Sequence, residues 1–83
     1  MKITVYSTPH CPYCIMVKDF LKEKNIVFSD LNVAENQEAA DAMVLKSGQL
    51  GVPVIVVEKD GGGEEIIIGF DRDKLLSILN IKN

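Results

Sequence analysis

Residues 2–17 read Lys2-Ile3-Thr4-Val5-Tyr6-Ser7-Thr8-Pro9-His10-Cys11-Pro12-Tyr13-Cys14-Ile15-Met16-Val17. Ile3 and Val5 alternate with polar neighbours, the period-two pattern of a short strand. Ser7, Thr8, Pro9 and His10 break that pattern, and Cys11-Pro12 opens a new one. Proline suits the first position of a helix, because its fixed φ is already helical and its missing N–H has no partner there anyway. Met16, Val17, Phe20 and Leu21 then recur at three- and four-residue spacing, with Lys18, Asp19, Lys22 and Glu23 on the other face, as far as Asn25. That spacing predicts an amphipathic helix, so the two cysteines fall where a strand meets a helix.

Working outward, residues 26–31 resemble a second strand. Residues 35–46 form a second helical stretch carrying Ala39, Ala40, Met43 and Val44, closed by Ser47-Gly48. Two strands joined by a crossover helix lie parallel in one sheet. After Gly51 the β-branched runs 54–57 and 65–68 flank Lys59-Asp60-Gly61-Gly62-Gly63, which predicts an antiparallel hairpin. Asp71 offers a side-chain oxygen to cap a last helix, with Leu75, Leu76 and Leu79 as its buried stripe. The order β-α-β-α-β-β-α predicts an α/β fold, a four-stranded mixed sheet with three helices, in one domain over 1–83. Tyr6 and Phe28 are expected in the sheet, Met16 and Met43 in the core, and Glu64-Glu65 at a solvated strand end.

Composition narrows the function. With 83 residues, 47% of them hydrophobic, the chain has room for one core. Its two cysteines are separated by two residues, and a bridge so tight cannot staple distant segments. Nine basic and twelve acidic side chains give a formal charge of −3, which argues against nucleic acid as a partner. Residues 1–6 show no basic start followed by an apolar core, so the expected location is cytoplasmic. No apolar run approaches the roughly 20 residues that cross a bilayer, and no membrane partner is expected. No exposed apolar stripe asks for a dimer, so a monomer is expected.

The chemistry lies in Cys11-Pro12-Tyr13-Cys14. A helix start presents unpaired N–H groups and the positive end of the helix dipole, both of which favour a thiolate over a thiol. Cys11 stands at that point, with His10 and Lys18 as minor sources of positive charge, and is the expected nucleophile. Cys14 lies one helical turn on, close enough to bridge to Cys11 yet shielded by the helix, and is the expected resolving thiol. A Cys-x-x-Cys is also half of a zinc site, but zinc takes four ligands and the chain offers no further cysteine and one histidine, His10. No metal is therefore expected.

The run 6–14 resembles the active-site segment of the dithiol glutaredoxins, whose hallmark is Cys-Pro-Tyr-Cys. Gly51-Val52-Pro53 resembles that family's Thr-Val-Pro element, and Gly69-Phe70-Asp71 stands at its glycine-containing turn into the last helix. The resemblance implies a thioredoxin-like (glutaredoxin) fold and a cis peptide bond at Pro53, which faces the cysteines. It also implies that the Val52 backbone pairs with an extended thiol peptide and that Pro12 and Tyr13 flank the groove. Further implications are that Gln49 reaches the glycine carboxylate of glutathione and that Gly69, Phe70 and Asp71 line the site, Asp71 contacting the γ-glutamyl amine. Asp71 is equally readable as a helix cap alone. Many glutaredoxins have lysine where this chain has Thr8, so one carboxylate partner is missing. The stretch Gly69-Phe70-Asp71-Arg72-Asp73-Lys74-Leu75 is similar to the ending of NrdH-type redoxins, which are glutaredoxin-like proteins reduced by thioredoxin reductase.

The sequence therefore predicts a thiol-disulfide oxidoreductase that reduces protein disulfides or glutathione mixed disulfides. Glutathione is the expected electron donor, and no tightly bound cofactor is expected. An NrdH-like redoxin served by thioredoxin reductase is the alternative. A third possibility is an iron-sulfur carrier, against which Pro12 argues by crowding the cluster position.

Overall fold

The computed structural model describes residues 1–79, and residues 80–83 at the end of the predicted domain lie outside the described residues. Its elements run β1 (Lys2–Ser7), α1 (Pro12–Glu23), β2 (Ser29–Asn32), α2 (Gln37–Ser47), β3 (Val54–Glu58), β4 (Glu64–Ile68) and α3 (Arg72–Ile78). The strands lie in the order β2-β1-β3-β4. β1 pairs parallel with β2 and antiparallel with β3, and β3 pairs antiparallel with β4. This is the mixed sheet expected from the element order.

Alternation along the two central strands sends side chains to opposite faces. Ile3 and Val5 of β1 pair with Val57 and Ile55 of β3. Together with Ile67 they pack against Val17, Phe20 and Leu21 of α1 and Leu75 of α3. Tyr6, Val54 and Val56 point the other way, onto Ala39 and Met43 of α2. β3 is thus apolar on both sides because both sides are covered, and residues 54–57 are all buried. The site-bearing end of β1 is gripped between β2 and the most deeply buried strand.

Several local expectations need correction. The second strand starts at Ser29, not at Ile26. Asn25 takes a left-handed conformation, φ 60°. Its N–H donates to the Lys22 carbonyl, and the Ile26 N–H donates to the Leu21 carbonyl at 2.9 Å. These two bonds form a Schellman closure of α1, so Ile26 is spent ending the helix. Phe28 accordingly lies before the strand, half-buried against the core, and is not a sheet residue. Helix α2 begins at Gln37, two positions after the predicted start, because the Asn36 side chain accepts the Ala39 N–H at 3.1 Å and caps it. Within it Val44 is exposed while Ala39 and Met43 are buried. Met16, expected in the core, is 44% exposed, since the inner stripe of α1 is Cys14, Val17, Phe20 and Leu21. Lys18, expected on the outer face, is turned inward, its side chain only 21% exposed in an ion pair with Asp30. Glu64 and Glu65 are not merely solvated, for they pair with Lys46 and Lys59.

The Asn25 closure can be tested directly. Left-handed backbone costs an ordinary L-residue about 1–2 kcal/mol, and asparagine and glycine less. Asn25→Ala should lower the unfolding free energy by about 1 kcal/mol in urea denaturation, with Asn25→Gly at or above the parent. An alanine variant as stable as the parent would contradict this account of where α1 ends.

Candidate functional site

The site forms where β1 stops. Cys11 has extended backbone, φ −99° and ψ 110°, and caps α1, with Pro12 in its first turn. The Ile15 N–H donates to the Cys11 carbonyl at 3.1 Å, which starts the helical ladder. The Cys14 N–H donates to Cys11 Sγ at 3.1 Å, so the sulfur occupies the position usually taken by a serine, threonine or asparagine oxygen. An anionic sulfur accepts such a bond more strongly than a neutral thiol. No acidic side chain stands in the first turn of α1 to oppose a negative charge there.

The two sulfurs differ in access. Both are free thiols, Cys11 half-buried and Cys14 fully buried at 0% exposure. Burial, reinforced by its contact with the Cys11 sulfur, pushes the Cys14 thiol up from its ordinary 9.0 to about 11, against opposing pulls from the Thr8 backbone and the Lys18 charge.

The Val52–Pro53 peptide is cis. The Val52 carbonyl oxygen lies 3.9 Å from Cys11 Sγ, within reach of a donating thiol. The Gly69 N–H donates to the Pro53 carbonyl at 2.9 Å, which ties the end of β4 to this loop. Gly69 has φ 76°, a left-handed conformation that glycine adopts without a side-chain penalty.

Tyr13, Ile68, Gly69, Phe70, Asp71, Arg72 and Asp73 line an open groove of about 530 Å³. Tyr13 is 61% exposed on its rim. The structure thus brings Tyr13, Gly69, Phe70 and Asp71 together, and gathers Cys11, Pro12, Cys14, Val52 and Pro53 at the adjoining loops. Gln49 is exposed after α2, its N–H donating to Ser47 Oγ, and is not among the groove-lining residues. Asp71 caps α3 by accepting the Lys74 N–H at 3.1 Å and also faces the groove. Arg72 and Asp73 were not foreseen as groove residues. Their only signal in the sequence is their position beside the Asp71 cap. Among the described residues, no three His, Cys, Asp or Glu side chains gather as a metal site, and no helix is long and apolar enough to cross a membrane.

A half-exposed sulfur beside a shielded one, in the loop next to a groove that Tyr13 lines, suits thiol-disulfide exchange. Comparison with known proteins points the same way. The glutaredoxin family model matches residues 3–61. A glutaredoxin-like 8.6 kDa protein in the rubredoxin operon of Clostridium pasteurianum is 47% identical over 77 residues, which cover 89% of this chain and 96% of that one. A thioredoxin-like protein solved by crystallography as a mutant superimposes with TM-score 0.85 and 34% identity, over 98% of this chain and 97% of its own. The glutaredoxin-like NrdH-redoxin of Escherichia coli, with 25% identity, superimposes with TM-score 0.75 over 100% of this chain and 97% of its own.

With Cys14 raised to about 11, roughly one Cys14 in ten thousand is a thiolate at pH 7. Iodoacetamide at pH 7 should therefore label Cys11 in the native protein and spare Cys14, as read by peptide mass spectrometry. Labelling of Cys14 should rise only as the pH approaches about 11 or once the chain is unfolded. The unfolded chain releases this proton near 9.0 and the folded one near 11, so the associated stability is intact below pH 9.0 and is lost as pH climbs through that window. Equal labelling of both cysteines at pH 7 would contradict the site as described.

Proposed function

The chain belongs to the glutaredoxin family, whose members are thiol-disulfide oxidoreductases, and we propose that it works through Cys11 as the attacking sulfur and Cys14 as the resolving sulfur, with glutathione as electron donor. The observation that carries this proposal is the capping geometry: the accessible sulfur accepts the N–H of the buried one.

The Cys11 thiolate attacks one sulfur of a substrate disulfide. That S–S bond breaks, one substrate sulfur leaves with the electron pair, and a mixed disulfide forms on Cys11. Cys14 then yields its proton to solvent and attacks the Cys11 sulfur. The second substrate sulfur leaves, and a Cys11–Cys14 bridge remains. Two glutathione thiols restore the dithiol and depart as glutathione disulfide.

A substrate chain running past the exposed side of the loop would meet the Val52 backbone beside Cys11, where main-chain pairing holds an extended segment without reading its side chains. The adjoining groove supports glutathione as donor. It has a size suited to a small peptide, and Asp71 and Arg72 offer opposite charges to a ligand carrying both an amine and carboxylates. Thr8 supplies no cation on the Cys11 side, so the carboxylate there has one partner fewer and binding is expected to be weak.

A second reading is favoured by one observation: the NrdH-redoxin of Escherichia coli covers 100% of this chain at nearly equal length. That protein is described as having a thioredoxin-like activity profile. In this reading Cys11 and Cys14 act as above, but thioredoxin reductase restores the dithiol.

The donor assay separates the two. On one disulfide substrate, glutathione with glutathione reductase should sustain faster turnover than thioredoxin reductase with NADPH. Turnover supported only by thioredoxin reductase would overturn the choice of glutathione and establish the second reading.

A further inference from the structure

Ser7 is the one buried polar side chain among the described residues, at 2% exposure, and it closes β1 just before the cysteine loop. Its hydroxyl donates to Asp30 Oδ1 on β2 at 2.6 Å. The other oxygen, Asp30 Oδ2, accepts from Lys18 Nζ at 3.1 Å. Lys18 follows Cys14 by four residues on α1, so the two side chains are neighbours on one helix face. Cys14 and Leu21 on either side of it in that row are fully buried. A lysine thus sits in a row that otherwise faces the core, fastened at its tip by Asp30 of β2, which Ser7 of β1 holds in turn. Such an arrangement costs desolvation and gives little stability in return, because a half-buried ion pair contributes modestly at best. None of the three side chains lines the groove, and none takes part in the exchange chemistry as described.

Resting on the assignment of Cys11 as attacking and Cys14 as resolving sulfur, we infer that Lys18, held in place by Asp30 and Ser7, is a positioning residue for the resolving step. Its ammonium supplies positive charge beside Cys14 at the moment that buried sulfur loses its proton and attacks the mixed disulfide on Cys11. The charges around Cys14 support this. Cys11 faces it from the cap, and the Thr8 backbone from the loop after β1. Asp30 stands behind Lys18 on β2, while residues 51–57, which lead through the cis-proline loop into β3, carry no charge. Among the described residues, Lys18 is therefore the one cationic side chain acting on the buried sulfur, in the direction that favours its thiolate. Asp30 and Ser7 fix where that charge sits.

The resolving step can be watched alone with dithiobis(nitrobenzoate). Cys11 attacks the reagent, its S–S bond breaks, one thionitrobenzoate leaves, and an aryl mixed disulfide remains on Cys11. Cys14 then gives its proton to solvent, attacks Cys11 and expels the second thionitrobenzoate. The dithiol is oxidised to a disulfide as the reagent is reduced to two thiolates. Stopped-flow absorbance should resolve two releases from the parent protein, the second reporting Cys14. Fewer thiolates, partly offset by the greater nucleophilicity of a more basic sulfur, should make the second release roughly threefold slower in Lys18→Met and Lys18→Gln at pH 7. The pH profile of that phase should also move to higher pH, and Lys18→Arg, which keeps the charge, should restore both rate and profile. The first release, which reports Cys11 and an intact fold, serves as the internal control. An unchanged second phase in the two uncharged variants, or an arginine variant as slow as they are, would overturn the inference while leaving the Cys11–Cys14 relay standing. A single release from the parent would overturn the relay and the inference together.

Discussion

Helix α1 starts on a sulfur. Where most helices use the oxygen of a serine, threonine, aspartate or asparagine to accept a first-turn N–H, this one uses Cys11 Sγ, and the N–H it accepts belongs to Cys14. That bond fixes the distance and the asymmetry of the pair at once. It holds Cys11 at the open end of the helix, where unpaired backbone donors and the dipole favour negative charge, and it sets Cys14 one turn deeper, where burial keeps the proton on.

The remaining fold holds that helix end in register with its surroundings. β1 delivers the cysteine loop from between β2 and the doubly covered β3, and the inner stripe of α1 locks onto the same apolar cluster that holds α3. The loop before β3 brings the Val52 carbonyl to Cys11, and the Gly69 N–H fastens that loop to the end of β4, from which the groove opens. The connection before β3 thus reaches the Cys11 sulfur, and the one after β4 is tied to that connection through Gly69. The capping Asp71 does double duty, ending β4's connection to α3 and facing the groove.

Much of this was legible in the chain itself, for physical reasons that can be named. Period-two alternation around Ile3 and Val5, Pro12 at a helix start, the glycine-rich hairpin at 61–63 and the Asp71 cap are all local signals, and each stands in the structure as read. The misreadings come from competition that periodicity alone does not show, in one case with a local helix closure and in the others with contacts distant in sequence. Ile26 looks like strand but is used to close α1, because Asn25 turns left-handed. Met16 fits a helical apolar stripe by spacing, yet only part of that stripe meets the sheet. Lys18 looks like a surface charge until Asp30 and Ser7, far off in sequence, are brought beneath it. Arg72 and Asp73 join the groove only through the way α3 returns to Tyr13. The chemistry was readable because its two sulfurs sit three residues apart on one element. The ion-pair network beside them was not, because Lys18, Asp30 and Ser7 come from three.

If the capping sulfur is the attacking one, the most direct measurement is to trap the first covalent intermediate. Cys14→Ser and Cys11→Ser variants would each be incubated with glutathione disulfide and examined by intact-protein mass spectrometry. The account predicts that the chain retaining Cys11 gains one glutathione rapidly, while the chain retaining Cys14 gains none over the same time. Rapid addition to Cys14 in the absence of Cys11, or no addition to Cys11, would contradict it.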